Sequence, residues 1–166
     1  MDTLKRFCII GAVITIILGI LFHFVYDWTG GNFLIGLFVP VNESTWEHMK
    51  LIYFPMLLVT LVAGKFLEEK YPCIYDAMFL GTFAGLALIP ILFYTYSGIL
   101  GFNVDWINIA VYIISVLFAY LVVYLVASDC EKKRNSKLIR LIYYVFLLAF
   151  MVFTVYPPQI GLFMAP

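Results

Sequence analysis

Apolar positions along the chain gather into five long runs, each near the roughly 20 residues that carry a helix across a bilayer, with polar residues mostly confined to the breaks. The runs are Phe7 to Tyr26, Glu43 to Phe66, Ile74 to Tyr96, Trp106 to Val126 and Leu141 to Tyr156. They predict an all-α fold: an integral membrane bundle of five transmembrane helices, with residues 1–166 as a single transmembrane domain. Pro55 and Pro90 fall inside two of the runs. Each would kink its helix and free a backbone carbonyl for another partner.

Basic residues orient the bundle. Lys5 and Arg6 precede span one, Lys65 and Lys70 follow span two, and Lys132, Lys133, Arg134, Lys137 and Arg140 surround the junction of spans four and five. Lys and Arg are retained on the cytoplasmic side, so the N-terminus is predicted cytoplasmic and the C-terminus extracytoplasmic. The opposite side carries Lys50 as its one basic residue, with Asp27, Glu43, Glu47 and Asp105. Trp28, Trp46 and Trp106 fall there too, as an interfacial aromatic belt would place them. The stretch EKKRNSKLIR fits an anchor against anionic lipid heads.

Composition sharpens this picture. The chain is 64% hydrophobic and 12% charged, with a mean hydropathy of +1.03. Surface this apolar needs lipid as its solvent, which makes the bilayer the first partner. A formal net charge of zero lacks the basic excess of a nucleic-acid surface. The first apolar run is too long for a signal peptide's apolar region of roughly 7 to 15 residues, and no small-x-small cleavage site follows it. Cys8, Cys73 and Cys130 show no CxxC spacing and fall at or near the cytoplasmic side, where free thiols are expected. Gly81, Ala84, Gly85 and Ala87 predict close helix packing in span three. A homo-oligomer stays open, since no span carries a decisive association signal.

Ionisable groups within the spans mark the candidate chemistry. Both histidines, His23 and His48, sit at outer ends of spans one and two. In HFVYD, His23 and Asp27 are four apart and share a helix face. In NESTWEHMK, Glu43, Glu47 and Lys50 form one stripe and Ser44 with His48 the adjacent one. Spans one and two are joined by the short apolar segment GGNFLIGLFVPV, predicted to lie in the interface or dip in as a lid, so the two polar faces should meet.

Three readings of this cluster stand side by side. As a ligand site, His23, Asp27, Glu43, Glu47, His48 and Lys50 would bind a cation or a small polar or lipid-headgroup ligand, for transport or sensing. As a metal site, His23, Glu43, Glu47 and His48 supply the ligand types of a divalent metal such as zinc, with an open position for water in a membrane-embedded hydrolase. There is no HExxH, and Lys50 would compete for the carboxylates. As structure only, Asn42 or Ser44 caps span two, Ser44 with Glu47 makes a capping box, Lys50 snorkels to Glu47, and the histidines bond between helices.

Weaker signals lie elsewhere. Asp76 is expected to pair with Lys70 or to snorkel, ahead of a proton relay. Tyr94, Tyr96, Asn103 and Asp105 fall on the outer side, where they could line the same opening. The segment PVNESTWEHMKLIYFP resembles the NESxWEHxK signature of an uncharacterised family of small integral membrane proteins of clostridia-like bacteria. The resemblance extends through HFVYDW and the five-helix layout. It implies a multi-pass protein of a bacterial cell membrane, marks Asn42, Glu43, Trp46, Glu47, His48 and Lys50 as motif residues, and brings no activity with it.

Overall fold

A computed structural model describes residues 2–130 and 136–165. Its elements are α1 (Thr3–Trp28), the single turn α2 (Phe33–Gly36), α3 (Thr45–Leu67), α4 (Ile74–Leu100), α5 (Asp105–Ser128), α6 (Lys137–Val155) and a 3₁₀ turn at Gly161–Phe163. The described residues contain no strand. By length and composition α1, α4, α5 and α6 could each cross a membrane. Helix α3, with Glu47 and Lys50 in its first two turns, is not among them.

Contacts between helix ends show that the five long helices alternate in direction. At one end, the Leu4 N–H donates to the Tyr71 hydroxyl, which donates to Asp2, and Lys70 donates to Thr3. This ties the start of α1 to the turn between α3 and α4. The Ser136 N–H donates to Asp76 Oδ2 at 3.1 Å, bringing the start of α6 to the same end. Asp76 therefore serves the N-terminus of α6, in place of the expected pairing with Lys70. At the other end, Thr45 donates to Tyr94 and Thr154 reaches Glu47.

Lys5, Arg6, Lys65, Lys70, Lys137 and Arg140 all belong to the first of these ends, while Lys132, Lys133 and Arg134 lie outside the described residues. Cys73 and Cys130 are joined in a disulfide there, with Cα atoms 6.1 Å apart. The expectation of free thiols holds for Cys8 alone. The cause is antiparallel packing: the start of α4 and the end of α5 meet, which the sequence separation of 57 conceals.

Small residues set the closest approach. Helices α4 and α5 pack along most of their length. A Cβ at Gly81 would lie 2.6 Å from the Ala119 carbonyl oxygen, and one at Gly85 would lie 3.1 Å from that of Ser115. The predicted packing face is thus Gly81 and Gly85, whereas Ala87 is exposed. Pro55 removes the N–H that would bond the Leu51 carbonyl, four residues earlier. The Tyr112 hydroxyl of α5 stands 3.4 Å from that freed oxygen and donates to the Thr15 carbonyl at 2.8 Å. It reaches both because Gly19 has no side chain; a Cβ there would overlap the Tyr112 hydroxyl.

The core is aromatic where α3, α4 and α6 meet. Tyr53 stacks on Tyr143 at 4.7 Å and donates to its carbonyl at 2.6 Å. Trp46 is buried among Phe146, Phe150, Phe153 and Phe163. Trp28 and Trp106 are exposed as a belt requires, but Trp46 belongs to the core, because it faces α6 from the first turn of α3.

Candidate functional site

The site end is built by the start of α3. Ser44 is the N-cap: its Oγ accepts from the Glu47 N–H at 3.3 Å, half of the expected capping box. The Ser44 N–H itself donates to Asn42 Oδ1 at 2.9 Å, an Asx turn that fixes the chain entering the helix. Glu43 therefore lies outside the helix, before its cap. It does not share the stripe of Glu47 and Lys50 that helical spacing from Glu43 would dictate. The polar cluster consequently divides into two.

The first group is open. Glu43 extends from the turn between His23 of α1 and His48 of α3. His48 Nε2 is 3.4 Å from Glu43 Oε2 and His23 Nε2 is 3.9 Å from Glu43 Oε1. The two imidazole centroids are 5.4 Å apart. One ligand atom from each of the three residues falls within 4.8 Å of the others. Ligands bound at about 2.1 Å around a tetrahedral zinc lie about 3.4 Å from one another, so rotamer-scale movement would close this set on an ion. Both imidazoles are partly buried and the Glu43 side chain is 67% exposed.

Hydrogen bonding orients one imidazole. His48 Nδ1 is 3.0 Å from the Ser44 carbonyl, which can only accept, so Nδ1 carries a hydrogen. Its Nε2 then faces an anionic carboxylate. A neutral ring would oppose a lone pair to negative charge, so a cation, either a proton or a metal, satisfies the arrangement. Backbone anchoring of the non-ligating nitrogen is how metal-binding histidines are commonly held. His23 Nδ1, by contrast, is buried with no partner among the described residues. That ring is held by α1 and by packing on Phe24 and His48.

Beside this group is a recess of about 50 Å³ lined by His23, Tyr26, Asp27, Pro40, Val41, Asn42 and Glu43. Room of this size suits one or two water molecules. Asp27, expected to share a face with His23, does line this recess with it. A larger groove of about 340 Å³ runs between α1 and α5 towards the other end. Its lining is mostly apolar, with Ile9, Ala12, Leu117 and Leu121 beside Lys5, Cys8, Tyr124 and a Tyr120 whose hydroxyl is bonded to Thr15.

The second group is closed. Glu47 and Lys50 are both buried, with Lys50 Nζ 2.7 Å from Glu47 Oε2. Lys50 also donates to Thr154 Oγ1 at 2.6 Å and to the carbonyls of Gly36 at 2.9 Å and Val39 at 3.3 Å. Glu47 Oε2 accepts from the Val41 N–H at 3.0 Å, and Oε1 stands 3.1 Å from Thr154 Oγ1. With its oxygens so engaged, Glu47 is not brought to the histidines, and among the described residues the group is His23, Glu43 and His48. Lys50 does not snorkel outward; it turns into the protein and neutralises Glu47, which leaves Glu43 without that competitor.

Sequence reasoning missed Thr154, the acceptor that α6 supplies. Its signal was slight: one hydroxyl near the end of an apolar run. Tyr94, Tyr96, Asn103 and Asp105 are not among the residues lining the recess. The Tyr96 hydroxyl instead meets Asn103 and Asn108, closing the turn between α4 and α5.

The model of a family of unknown function, DUF6512, matches residues 1–165. No curated protein and no solved structure matches the chain.

Proposed function

Since the chain belongs to this family of unknown function, DUF6512, its activity has to be read from its own residues, and we propose that it is a multi-pass protein of a bacterial cell membrane that binds a divalent transition-metal cation such as zinc, for transport or sensing. His23, Glu43 and His48 are the proposed ligands. The observation that carries the reading is the imidazole of His48, tied through Nδ1 to a backbone carbonyl and aiming Nε2 at a carboxylate with His23 beside it. Two nitrogens and one oxygen are a common zinc set, and three protein ligands leave one position open.

Membrane placement supports an outward-facing site. Helix α3 has 23 residues, about 34 Å at 1.5 Å per residue, against a hydrocarbon core of about 30 Å. Its charges at Glu47 and Lys50 neutralise one another inside the protein, so lipid need not accept them. We therefore count α3 as a fifth span. With every basic residue of the described chain except the paired Lys50 gathered at the opposite end, the N-terminus is cytoplasmic and the C-terminus extracytoplasmic.

The decisive experiment measures metal in the purified protein, wild type against His48→Ala. Stoichiometric zinc in the wild type and its loss in the variant are expected. A wild-type protein that neither retains zinc nor takes it up on titration refutes the reading. The recess beside His23 and Glu43 favours one second reading, a metal-dependent hydrolase whose open position holds water there. Metal-dependent ester or amide hydrolysis abolished by His48→Ala would select it over transport or sensing.

A further inference from the structure

Resting on the cation reading, we infer that Lys50, Glu47 and Thr154 form a latch that sets the position of Glu43, so that the end of α6 governs cation affinity without supplying a ligand. Lys50 is 0% exposed and Glu47 2%. Burying two charges is costly, and well-packed apolar side chains of similar volume commonly serve stability as well or better. The disposition of their hydrogen bonds shows what these charges accomplish.

All the backbone groups they hold belong to the segment leading to Glu43. Lys50 fixes the carbonyls of Gly36 and Val39, and Glu47 fixes the N–H of Val41. Glu43 follows two residues later. On the α1 side the same connection leaves through Gly30 and Gly31, both at positive φ, and presents Phe33 and Leu34 exposed. The ion pair thus ties residues 36–41 to α3, while the N–H groups of Gly36, Phe38 and Val39 bond locally to the carbonyls of Asn32 and Ile35. Val39 is buried with the pair, and the anchorage fixes the approach to the Asn42 turn and Ser44 cap that hold Glu43, the one proposed ligand outside a helix.

Thr154 joins the latch to α6. Its Oγ accepts from Lys50 and can donate to Glu47 Oε1 at 3.1 Å or to the Phe150 carbonyl at 2.7 Å. Loss of that hydroxyl takes the partner of Oε1 from a buried carboxylate, while the ammonium keeps three acceptors for its three N–H groups. Glu47 then has to find another donor for Oε1, and the connection held through its Oε2 and Lys50 shifts with it. Displacement of α6 would have the same effect, which makes the cation site responsive to the packing of the last helix. Lys50, Glu47 and Thr154 are positioning residues; none is among the proposed ligands.

The test titrates Co²⁺ into the detergent-solubilised wild type and into Thr154→Val, Thr154→Ser and Lys50→Met, recording the visible ligand-field spectrum, and then displaces it with Zn²⁺ to obtain Kd. Thr154→Val is expected to weaken zinc binding about 10-fold, the scale of disrupted supporting shells, and to alter the cobalt spectrum. Thr154→Ser, which restores the hydroxyl, should return both to wild type. Lys50→Met should weaken binding at least as much as Thr154→Val. If Lys50→Met does not fold, the threonine variants decide. Thr154→Val with a lowered melting temperature but an unchanged Kd and spectrum would mean a merely structural hydroxyl and overturn the latch, leaving the cation reading intact. A wild type indistinguishable from His48→Ala in cobalt binding would remove the cation reading and the latch together.

Discussion

The two polar groups at the site end share a helix and a chemistry, yet they stand in opposite states of satisfaction. In one, Glu47 and Lys50 are sealed from solvent, and both charges are answered by a hydroxyl and three backbone groups. In the other, Glu43 is exposed, one imidazole has a buried nitrogen without a partner among the described residues, and a second aims at a carboxylate. A closed set of partners indicates a part that holds the protein together. An arrangement that a cation would complete indicates a part that binds something. Residue types alone made no such distinction, since each group contains a glutamate and a basic side chain.

Several substitutions would break or sharpen this contrast. The largest effect belongs to Lys50→Ala, which leaves Glu47 as an uncompensated buried charge and should lower stability by about 3–5 kcal/mol, read from unfolding in detergent. A cost as small as that of a surface charge would show that the sealed group is not sealed. Next is Glu43→Ala. Metal-free protein should unfold within about 1 kcal/mol of wild type, as is usual for exposed positions, while bound zinc is lost. A large loss of stability without metal would place Glu43 with the structural group.

Replacing both sealed charges together, Glu47→Leu with Lys50→Met, should come within about 1–2 kcal/mol of wild-type stability, far milder than Lys50→Ala, because no charge is left unpaired. A double variant as damaged as the single one would show that the backbone bonds, and not the charges, dominate. The smallest change is expected of Asp27→Asn. Asp27 lines the recess without belonging to the ligand set, so its charge should be worth about threefold in cation affinity, decreasing with salt. Complete loss of binding would make it a ligand. The orientation has a separate check. Labelling intact cells with a membrane-impermeant thiol reagent should reach a cysteine placed by Trp28→Cys and not one placed by Lys70→Cys, whereas the opposite pattern would reverse the topology.

The helices were legible because apolar runs on the scale of a bilayer leave little else for the chain to form. Their ends were not. Helix α1 continues beyond Tyr26 to Trp28 and α4 beyond Tyr96 to Leu100, because helical hydrogen bonding carries on through Asp27 in the one and through Ser97 and Gly98 in the other. The start of α3 had the greatest consequence. Counting helical turns from Glu43 aligned it with Glu47, whereas the Asn42 and Ser44 caps place it outside the helix and beside the histidines. The meeting of His23 with His48 followed from two antiparallel helices and a short connection. Thr154 could not be foreseen, since its partnership with Glu47 spans 107 residues and depends on how α6 packs. Trp46 was misplaced for a related reason: an interfacial belt and an aromatic core draw on the same residue.

That tryptophan carries its own optical consequence. Its ring lies 4.7 Å from Phe150 and 4.8 Å from Phe163, two positions from His48 in the chain, while Trp28 and Trp106 face outward. The protein thus contains a shielded fluorophore wedged between its last helix and its C-terminal tail. Blue-shifted emission that reddens when the tail is withdrawn would let spectroscopy follow that docking without any added label.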